Sequence, residues 1–330
     1  MSTKKAPMPQ KNDKKNASRP IRGGRGPSFE ERRAPRGIHN KSADKQSGKQ
    51  SGKQSGKQIG SHFGVGHKDR GDSLRAPNNS YFLWGHHALG AALANHNRRI
   101  KALYTTTDGQ DRLMQMMATL PEARLSQLPD LRIVERHQLD NLPQAANEAG
   151  KIVHQGMVAA VSPLETPHLD DFLESLSDEG NHRLMVLDQV SDPRNVGAIL
   201  RSARAFGTKA LILQDRHAPE ETGGLARTAV GALEEIALIR VVNLARAIEM
   251  LKEYHFHIAG LDMDGSTDTS PAQNADRLAL VMGSEGKGMR RLTSEACDEI
   301  LSIAMTDTSE SLNVSVAAAI MMHSTQKPAS

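Results

Sequence analysis

Residues 278–289 read LALVMGSEGKGM, an apolar run that ends at Met282 and passes directly into a glycine-rich turn. A short run that is apolar throughout and bounded by glycine is typical of a strand buried on both faces of a sheet. Similar runs recur from Arg183 onward, and stretches with the apolar period of a helix separate several of them. This alternation predicts an α/β fold in which helices cover both faces of a parallel sheet.

The predicted strands and helices locate the edge at which a ligand would bind. Parallel sheets bind ligands beyond the carboxyl ends of their strands, which directs attention to the loops after Asp188, Met282 and Met305. The strands are predicted at residues 184–188, 210–213, 236–242, 257–261, 278–282 and 300–305, and the helices at 196–206, 225–230, 244–254 and 312–323.

A smaller α/β unit precedes this region. Strands are predicted at 81–85, 100–104, 131–134 and 156–161, with helices at 86–96 and 113–120. Two prolines and six acidic residues then mark a linker, which could carry a short helix around residues 170–176. We therefore divide the chain into an arm at 1–77, a small domain at 78–162, a linker at 163–182 and a large domain at 183–330.

The arm has a composition unlike that of the rest of the chain. Residues 1–77 hold 19 basic and 6 acidic side chains, a net charge of +13, whereas the other 253 residues hold 23 basic and 32 acidic, a net charge of −9. Few large apolar residues occur in the arm, and Ser-Gly-Lys-Gln repeats three times between Ser47 and Gln58. We predict a disordered basic arm that either attracts a polyanion such as RNA or serves as a solubilising tail.

Composition excludes several classes of protein. The single cysteine, Cys297, rules out an intrachain disulfide framework and a multi-cysteine zinc site, and favours a reducing compartment such as the cytoplasm. The longest apolar stretch, residues 314–322, is far shorter than the roughly 20 residues that span a bilayer. We therefore expect no membrane span. His86, His87 and the other histidines lack neighbours with metal-ligand spacing, so we also expect no metal site.

The first loop leads into a helix that carries several arginines. Asn195 could cap the start of this helix, with Pro193 in the preceding turn, and neither would then need a chemical role. Arg201 and Arg204 lie three residues apart and so near one another on the helix, as a solvated face or as a phosphate clamp. Arg194 adds a third guanidinium beside the helix start.

The second and third loops carry polar groups in unusual settings. The glycines of residues 283–288 could form a tight turn or let backbone approach a ligand, but they match no phosphate-loop pattern. Glu285 in this turn would repel phosphates and suits a cationic or hydroxyl-bearing ligand. In the third loop, Ser311 could cap the last helix, and Asn313 would need hydrogen-bond partners if it were buried.

Taken together and in this order, the three loops resemble the three motifs of the SpoU/TrmH family of RNA ribose 2′-O-methyltransferases, within the SPOUT superfamily. Residues 192–201 (DPRNVGAILR), 281–289 (VMGSEGKGM) and 303–317 (IAMTDTSESLNVSVA) carry the resemblance. Residues 81–93 and 154–159 are also similar to the small ribosomal-protein-like RNA-binding domain of the bacterial 23S rRNA guanosine 2′-O-methyltransferases. The sequence departs from the family at Ala304, often proline there, and in the polar segment 306–310.

The resemblance implies a fold that strand counting does not predict, with a C-terminal segment threaded through a loop as a deep trefoil knot. It also implies a homodimer that binds S-adenosylmethionine among the knotted loops. Gly283, Ile303 and Leu312 match cofactor-binding positions. Glu285, Ser311 and Asn313 match the polar residues around the methionine and acceptor groups, and Asn195 and Arg201 match the catalytic first motif. Arg194 and Arg204 would contact RNA nearby.

The implied reaction is attack of a ribose 2′-oxygen on the sulfonium methyl group. The family proposal makes Arg201 the base, although a guanidinium with a pKa above about 12 is almost never deprotonated. An equally physical role is binding the adjacent phosphate and stabilising the negative charge that develops on the oxygen. The leading hypothesis is methylation of a guanosine in 23S rRNA. The alternatives are a tRNA ribose 2′-O-methyltransferase and a non-catalytic RNA-binding factor of ribosome assembly.

Overall fold

A computed structural model of the chain describes residues 74–142, 152–306 and 311–327. The predicted disorder of the arm concerns residues that lie outside these ranges, except for residues 74–77. Within those four, Leu74 is buried against the small sheet and Ala76 packs beside it. Residues 307–310 of the third loop also lie outside the described ranges.

The small sheet joins a parallel pair to an antiparallel one. Its strand order is β1-β4-β2-β3, with β4 antiparallel to β1 and β2, and β3 parallel to β2. Tyr81 and Trp84 are buried in β1. The elements are β1 (Tyr81–Trp84), α1 (His86–Ala94), β2 (Ile100–Thr105), α2 (Gln110–Met117), α3 (Glu122–Leu125), β3 (Leu131–Ile133), α4 (Arg136–Asp140) and β4 (Met157–Val161).

The large sheet confirms the predicted parallel α/β fold. Its strand order is β10-β8-β9-β5-β6-β7, and every neighbouring pair is parallel. Its strands are β5 (His182–Leu187), β6 (Thr208–Gln214), β7 (Ala237–Val241), β8 (His257–Ser266), β9 (Arg277–Met282) and β10 (Glu299–Leu301). The helices are α5 (Leu169–Glu174), α6 (Pro193–Ala205), α7 (Gly223–Ala229), α8 (Leu244–Glu253), α9 (Ser270–Asn274), α10 (Arg291–Glu295) and α11 (Val314–Ser324).

Three local predictions were wrong. The strand expected at 300–305 ends at Leu301, because the following residues leave the sheet and line a cavity. Asn195 does not cap α6: Pro193 occupies the first helical turn, where its missing N–H is harmless, and Oδ1 of Asp192 accepts the N–H of Arg194 at 2.8 Å. Ser311 does not cap α11, because Asn313 does so.

The small sheet and the large sheet share one hydrophobic core. A single cluster of buried side chains includes Leu83 of β1 and Leu225 of α7. Gly223 allows α7 to approach β1, since a Cβ on this residue would lie 2.0 Å from Cζ3 of Trp84. A second cluster packs α5 and α8 on the opposite face of the large sheet.

A buried arginine, Arg98, reinforces the seam, which is the contact between the small sheet and the elements around α7. Arg98 has no exposed surface, and its Nη1 lies 3.0 Å from Glu221 while its Nη2 lies 2.8 Å from Glu234. Nη1 also donates to the carbonyl of Ser162 at 2.7 Å, and the guanidinium lies 5.9 Å from the ring centroid of Tyr81. Nε and Nη1 of the guanidinium donate hydrogen bonds to Glu234, Glu221 and the carbonyl of Ser162, and the two carboxylates offset the buried charge.

Candidate active site

The site forms where the carboxyl ends of β5, β8 and β9 meet. Asp188 follows β5 and is fully buried, and its Oδ2 accepts the backbone N–H of Arg290 at 2.9 Å. Its Oδ1 lies 2.8 Å from Nε and 2.7 Å from Nη2 of Arg290. This two-pronged ion pair ties the first loop to the second, and its arginine compensates a carboxylate that would otherwise be buried alone.

The turn after β9 requires glycine at its first position. A Cβ on Gly283 would lie 2.0 Å from the carbonyl carbon of Gly288 and 2.2 Å from the nitrogen of Met289. The turn closes through a hydrogen bond of 3.0 Å from the N–H of Gly288 to the carbonyl of Ser284. Gly286 and Gly288 have φ angles of 76° and 63°, the left-handed region that glycine adopts at low cost.

Three polar side chains, one from each loop, meet at the start of α11. Nδ2 of Asn313 donates to Oδ1 of Asn195 at 3.1 Å and to Oε1 of Glu285 at 2.7 Å. Oε1 of Glu285 also accepts the N–H of Val314 at 3.0 Å. Oδ1 of Asn313 accepts the N–H of Ser315 at 2.9 Å, which fixes the orientation of its amide. The side chains predicted from three separate motifs therefore form one hydrogen-bonded chain.

A cavity of about 480 Å³ lies beside this chain. Its lining contains five of the predicted site residues, namely Gly283, Glu285, Ile303, Ser311 and Leu312. Asn195 and Asn313 are not in the lining, and they reach it through the carboxylate of Glu285. Ile303 and Leu312 pack partly against the main core, so this part of the wall is apolar.

The three arginines lie on α6 and outside the cavity lining. Arg194 and Arg201 are seven residues apart, which places them on the same exposed face of a helix with 3.6 residues per turn. Arg201 forms no ion pair with any residue in the described ranges. Nη2 of Arg204 lies 2.8 Å from the carboxylate of Glu235, shortly before β7, and both side chains are about half exposed. Arg201 and Arg194 therefore present uncompensated positive charge beside the site.

Sequence reasoning gave no role to Asp188, Arg290 or Asp262. A carboxylate at the end of an apolar strand was a usable signal for Asp188, because buried aspartates need a partner. Its pairing with Arg290 spans 102 residues and follows from the strand order alone. Asp262, in the cavity lining, sits among other acidic residues and carries no distinctive local pattern.

The described residues contain neither a candidate metal-binding cluster nor a candidate membrane-spanning helix. In residues 74–142, 152–306 and 311–327, no three or more histidine, cysteine, aspartate or glutamate side chains are grouped so as to hold a metal ion. No helix in these ranges is both long and apolar enough to cross a membrane.

Comparison with known proteins identifies the family. Residues 182–323 match the SpoU rRNA Methylase family, and residues 82–167 match the RNA 2′-O ribose methyltransferase substrate binding family. The 23S rRNA (guanosine-2′-O-)-methyltransferase RlmB of Vibrio vulnificus is 38% identical over 243 residues, which cover 73% of this chain and 94% of the relative. RlmB of Escherichia coli K12 is 36% identical over 244 residues, covering 74% of this chain and 96% of the relative.

Solved structures show the same fold. The SpoU methyltransferase AviRb of Streptomyces viridochromogenes, in complex with AdoMet, matches with a TM-score of 0.58 and 21% identity over 82% of this chain and 96% of AviRb. That likeness establishes the architecture, and the sequence relationship to the RlmB proteins establishes descent. The chain belongs to the SpoU family of RNA 2′-O-ribose methyltransferases.

Proposed function

We propose that this protein transfers a methyl group from S-adenosylmethionine to a ribose 2′-hydroxyl of RNA, and that the acceptor is a guanosine of 23S rRNA. The observation that carries the proposal is the hydrogen-bonded chain of Asn195, Asn313 and Glu285 beside the cavity. The relatives named above, which share more than a third of their residues with this chain, support 23S rRNA as the substrate.

The cavity fits a nucleoside cofactor. Its volume of about 480 Å³ falls in the range of small-molecule sites, about 300–1,000 Å³. Gly283 keeps side-chain atoms out of the tight turn, which leaves backbone N–H and C=O groups beside the cavity. Gly283, Ile303 and Leu312 would hold the adenosine part, and Glu285 and Ser311 the polar part. S-adenosylmethionine supplies an activated methyl group when bound there.

Residues of this chain would position and activate the acceptor. A ribose hydroxyl is a poor nucleophile at neutral pH, so its orientation and the stabilisation of charge on its oxygen determine the rate. Asn195 and Asn313 would orient the acceptor with amide groups that Glu285 and the start of α11 hold in place. Arg201 lies about 9 Å further along the helix axis than Asn195 and would bind an RNA phosphate or the developing alkoxide.

The role of Arg201 can be tested by its pH profile. A guanidinium stays protonated in proteins, so we assign it charge stabilisation and not proton removal. Arg201→Lys keeps the charge and loses the planar fork, and we expect lower activity with an unchanged pH dependence. A profile whose alkaline or acid limb moves with the lysine would support the base assignment instead.

Arg194 and Arg204 would add RNA contacts near the cavity. Arg194 is exposed and carries no ion pair in the ranges that the structure covers. Arg204 is half neutralised by Glu235, so its contribution to RNA affinity should be the smaller of the two. Binding of a 23S rRNA fragment by Arg194→Ala and Arg204→Ala, each measured at several salt concentrations, compares them directly.

The knot and the homodimer are part of the same proposal. β10 lies at one end of the sheet order, whereas α11 packs against α6 and β9 nearer the middle. The proposed threading of the C-terminal segment rests on the family resemblance and agrees with this placement of α11. The proposed homodimer rests on the family resemblance. Light scattering of the purified protein would give twice the monomer mass of 35.9 kDa.

We also propose the division into arm, small domain, linker and large domain. The enzyme would act in the cytoplasm, and the small sheet would be its RNA-binding domain. Its match to the substrate-binding family supports that role for the small sheet. The seam around Arg98 suggests that the two parts act as one body, even though a linker was predicted between them.

The activity is tested with purified protein and labelled S-adenosylmethionine. Unmethylated 23S rRNA, 16S rRNA and total tRNA are offered separately, and labelled nucleosides are identified after complete digestion. We expect label in 2′-O-methylguanosine from 23S rRNA alone. Label in tRNA would support the alternative tRNA enzyme. Cofactor binding without transfer to any RNA would favour the non-catalytic assembly factor.

A further inference from the structure

Asp262 is a carboxylate in the cavity wall that the proposed reaction has not used. It lies in β8, directly after Leu261, which is the last residue of this strand paired with β9. That pairing aligns Leu261 with Met282, so Asp262 is level with Gly283, where the turn begins. Its side chain is half-buried and lines the cavity.

One oxygen of Asp262 has no protein donor. Oδ1 accepts the N–H of Met263 at 2.7 Å. Oδ2 accepts no hydrogen bond and forms no ion pair with the residues that the structure describes, and it lies 3.4 Å from the position that a Cβ on Gly288 would take. Because Oδ2 belongs to a side chain of the cavity lining and has no protein donor, a hydroxyl of a ligand in the cavity can donate to it.

The other charged groups of the cavity lining do not donate to Oδ2 of Asp262. Besides Asp262, the described lining contains two charged side chains, Glu285 and Lys287. Glu285 is already bound to Asn313 and to the N–H of Val314. Lys287 is exposed and makes no ion pair with Asp262 in the described residues. Oε2 of Glu285 also accepts no hydrogen bond in the described residues, but the bonds of Oε1 hold this carboxylate at the start of α11. Asp262 offers Oδ2 at the end of β8 instead.

We infer that Oδ2 of Asp262 binds the ribose diol of the cofactor's nucleoside, an inference that rests on the proposed methyltransferase function. The strand order β8-β9-β5 places the end of β8 roughly 10 Å from the end of β5, because neighbouring strands lie about 4.8 Å apart. Asn195 and the acceptor groups follow β5. The transferred methyl group must lie at that end, so the sulfonium lies there too. Asp262 then faces the nucleoside, whose two adjacent hydroxyls are donors.

Three ligands separate this assignment from other roles of the carboxylate. S-adenosylmethionine carries the diol, the sulfonium and the amino acid. S-adenosylhomocysteine lacks the sulfonium charge, and 5′-methylthioadenosine lacks both the charge and the amino acid, but all three keep the diol. Calorimetry of the full chain and of Asp262→Asn measures each affinity. Asp264→Asn is the control, since Asp264 is exposed two residues further along β8 and lies outside the cavity lining.

We expect Asp262→Asn to weaken all three ligands by a similar factor of about 10 to 100, the usual range for a hydrogen bond to a charged group. The control should leave all three affinities within a factor of about two, and both variants should melt like the parent protein. Unchanged binding of 5′-methylthioadenosine would overturn the inference in favour of the ammonium group. A loss confined to S-adenosylmethionine would overturn it in favour of the sulfonium.

Unchanged affinity for every ligand would also overturn the inference, because Asp262 would then be a solvated side chain. Failure of the proposed function looks different, since the parent protein itself would bind none of the three ligands.

Discussion

The side-chain amide of Asn313 donates a hydrogen bond of 2.7 Å to Oε1 of Glu285, 28 residues away in sequence. The carboxylate thereby fixes the residue that caps α11, and its charge lies at the positive end of that helix. Because Asn313 also contacts Asn195, this one bond aligns groups from all three loops.

We expect Glu285→Ala to lower kcat/KM for methyl transfer by about 10- to 100-fold, because two hydrogen bonds to a charged acceptor are lost. Glu285→Gln keeps one acceptor and should lose less. Glu295→Ala is the matched control: this carboxylate is exposed on α10 and pairs with Arg291 four residues earlier. Equal activity of the Glu285 and Glu295 variants would argue against the aligning role.

Gly283→Ala should abolish cofactor binding. The added methyl group would lie 2.0 Å from a backbone carbon, so the turn has to open. Gly90→Ala is the control, because a Cβ there meets no atom within 4 Å and alanine favours the helix by about 0.5–1 kcal/mol. Calorimetry with S-adenosylhomocysteine should show binding by the control only. Tight binding by Gly283→Ala would mean that the turn does not form the cofactor wall.

Arg98→Met should destabilise the fold by about 3–5 kcal/mol, because it leaves Glu221 and Glu234 without their buried partner. Urea unfolding measures this loss. Arg99→Met removes a neighbouring charge from an exposed position and should change the free energy of unfolding by less than about 0.5 kcal/mol. Two separate unfolding transitions in the parent protein would contradict the claim that the small sheet and the large sheet unfold as one unit.

Cys297 should react slowly with iodoacetamide at pH 8. Burial raises the pKa of its thiol to about 11, and nearby Asp298 adds to the rise while Lys252 opposes it. The thiolate fraction at pH 8 is then about one in a thousand, and alkylation should accelerate through pH 10. The unfolded thiol ionises first, so this residue's stabilising contribution is lost as pH rises from about 9 to 11. Rapid labelling at pH 8 would contradict burial.

The basic arm should supply salt-sensitive RNA affinity. Deleting residues 1–73 removes 18 basic and 6 acidic side chains and spares Leu74, which packs in the core. We expect weaker binding to 23S rRNA fragments and a shallower dependence on salt, since fewer counterions are released. Affinity for S-adenosylmethionine should not change. An unchanged salt slope would reduce the arm to a solubilising tail.

Local patterns predicted the large sheet well and its long-range contacts poorly. The run that ends at Met282 identified a buried strand, because a strand covered on both faces has no polar side. The contact between Asn195 and Asn313 joins residues 118 apart and depends on which strands are neighbours. The family motifs named both residues, yet gave neither the bond between them nor the role of Asp192 as the cap of α6.

The seam at Arg98 shows the same limit. Its partner Glu234 is 136 residues away, and an arginine in a polar turn reads as an exposed side chain. Burial of this residue follows only from the packing of the small sheet against α7. No periodic pattern in the nearby sequence indicates that packing. Likewise, β10 ends at Leu301 because the next residues turn into the cavity, although their composition favours a strand.

Mapping ribose methylation in 23S rRNA from a strain that lacks this gene tests the central claim most directly. The account predicts loss of 2′-O-methylation at one guanosine, its return with the parent gene, and no return with the Asn313→Ala variant expressed at the same level. Methylation that remains at every 23S rRNA guanosine in the deletion strain would contradict it.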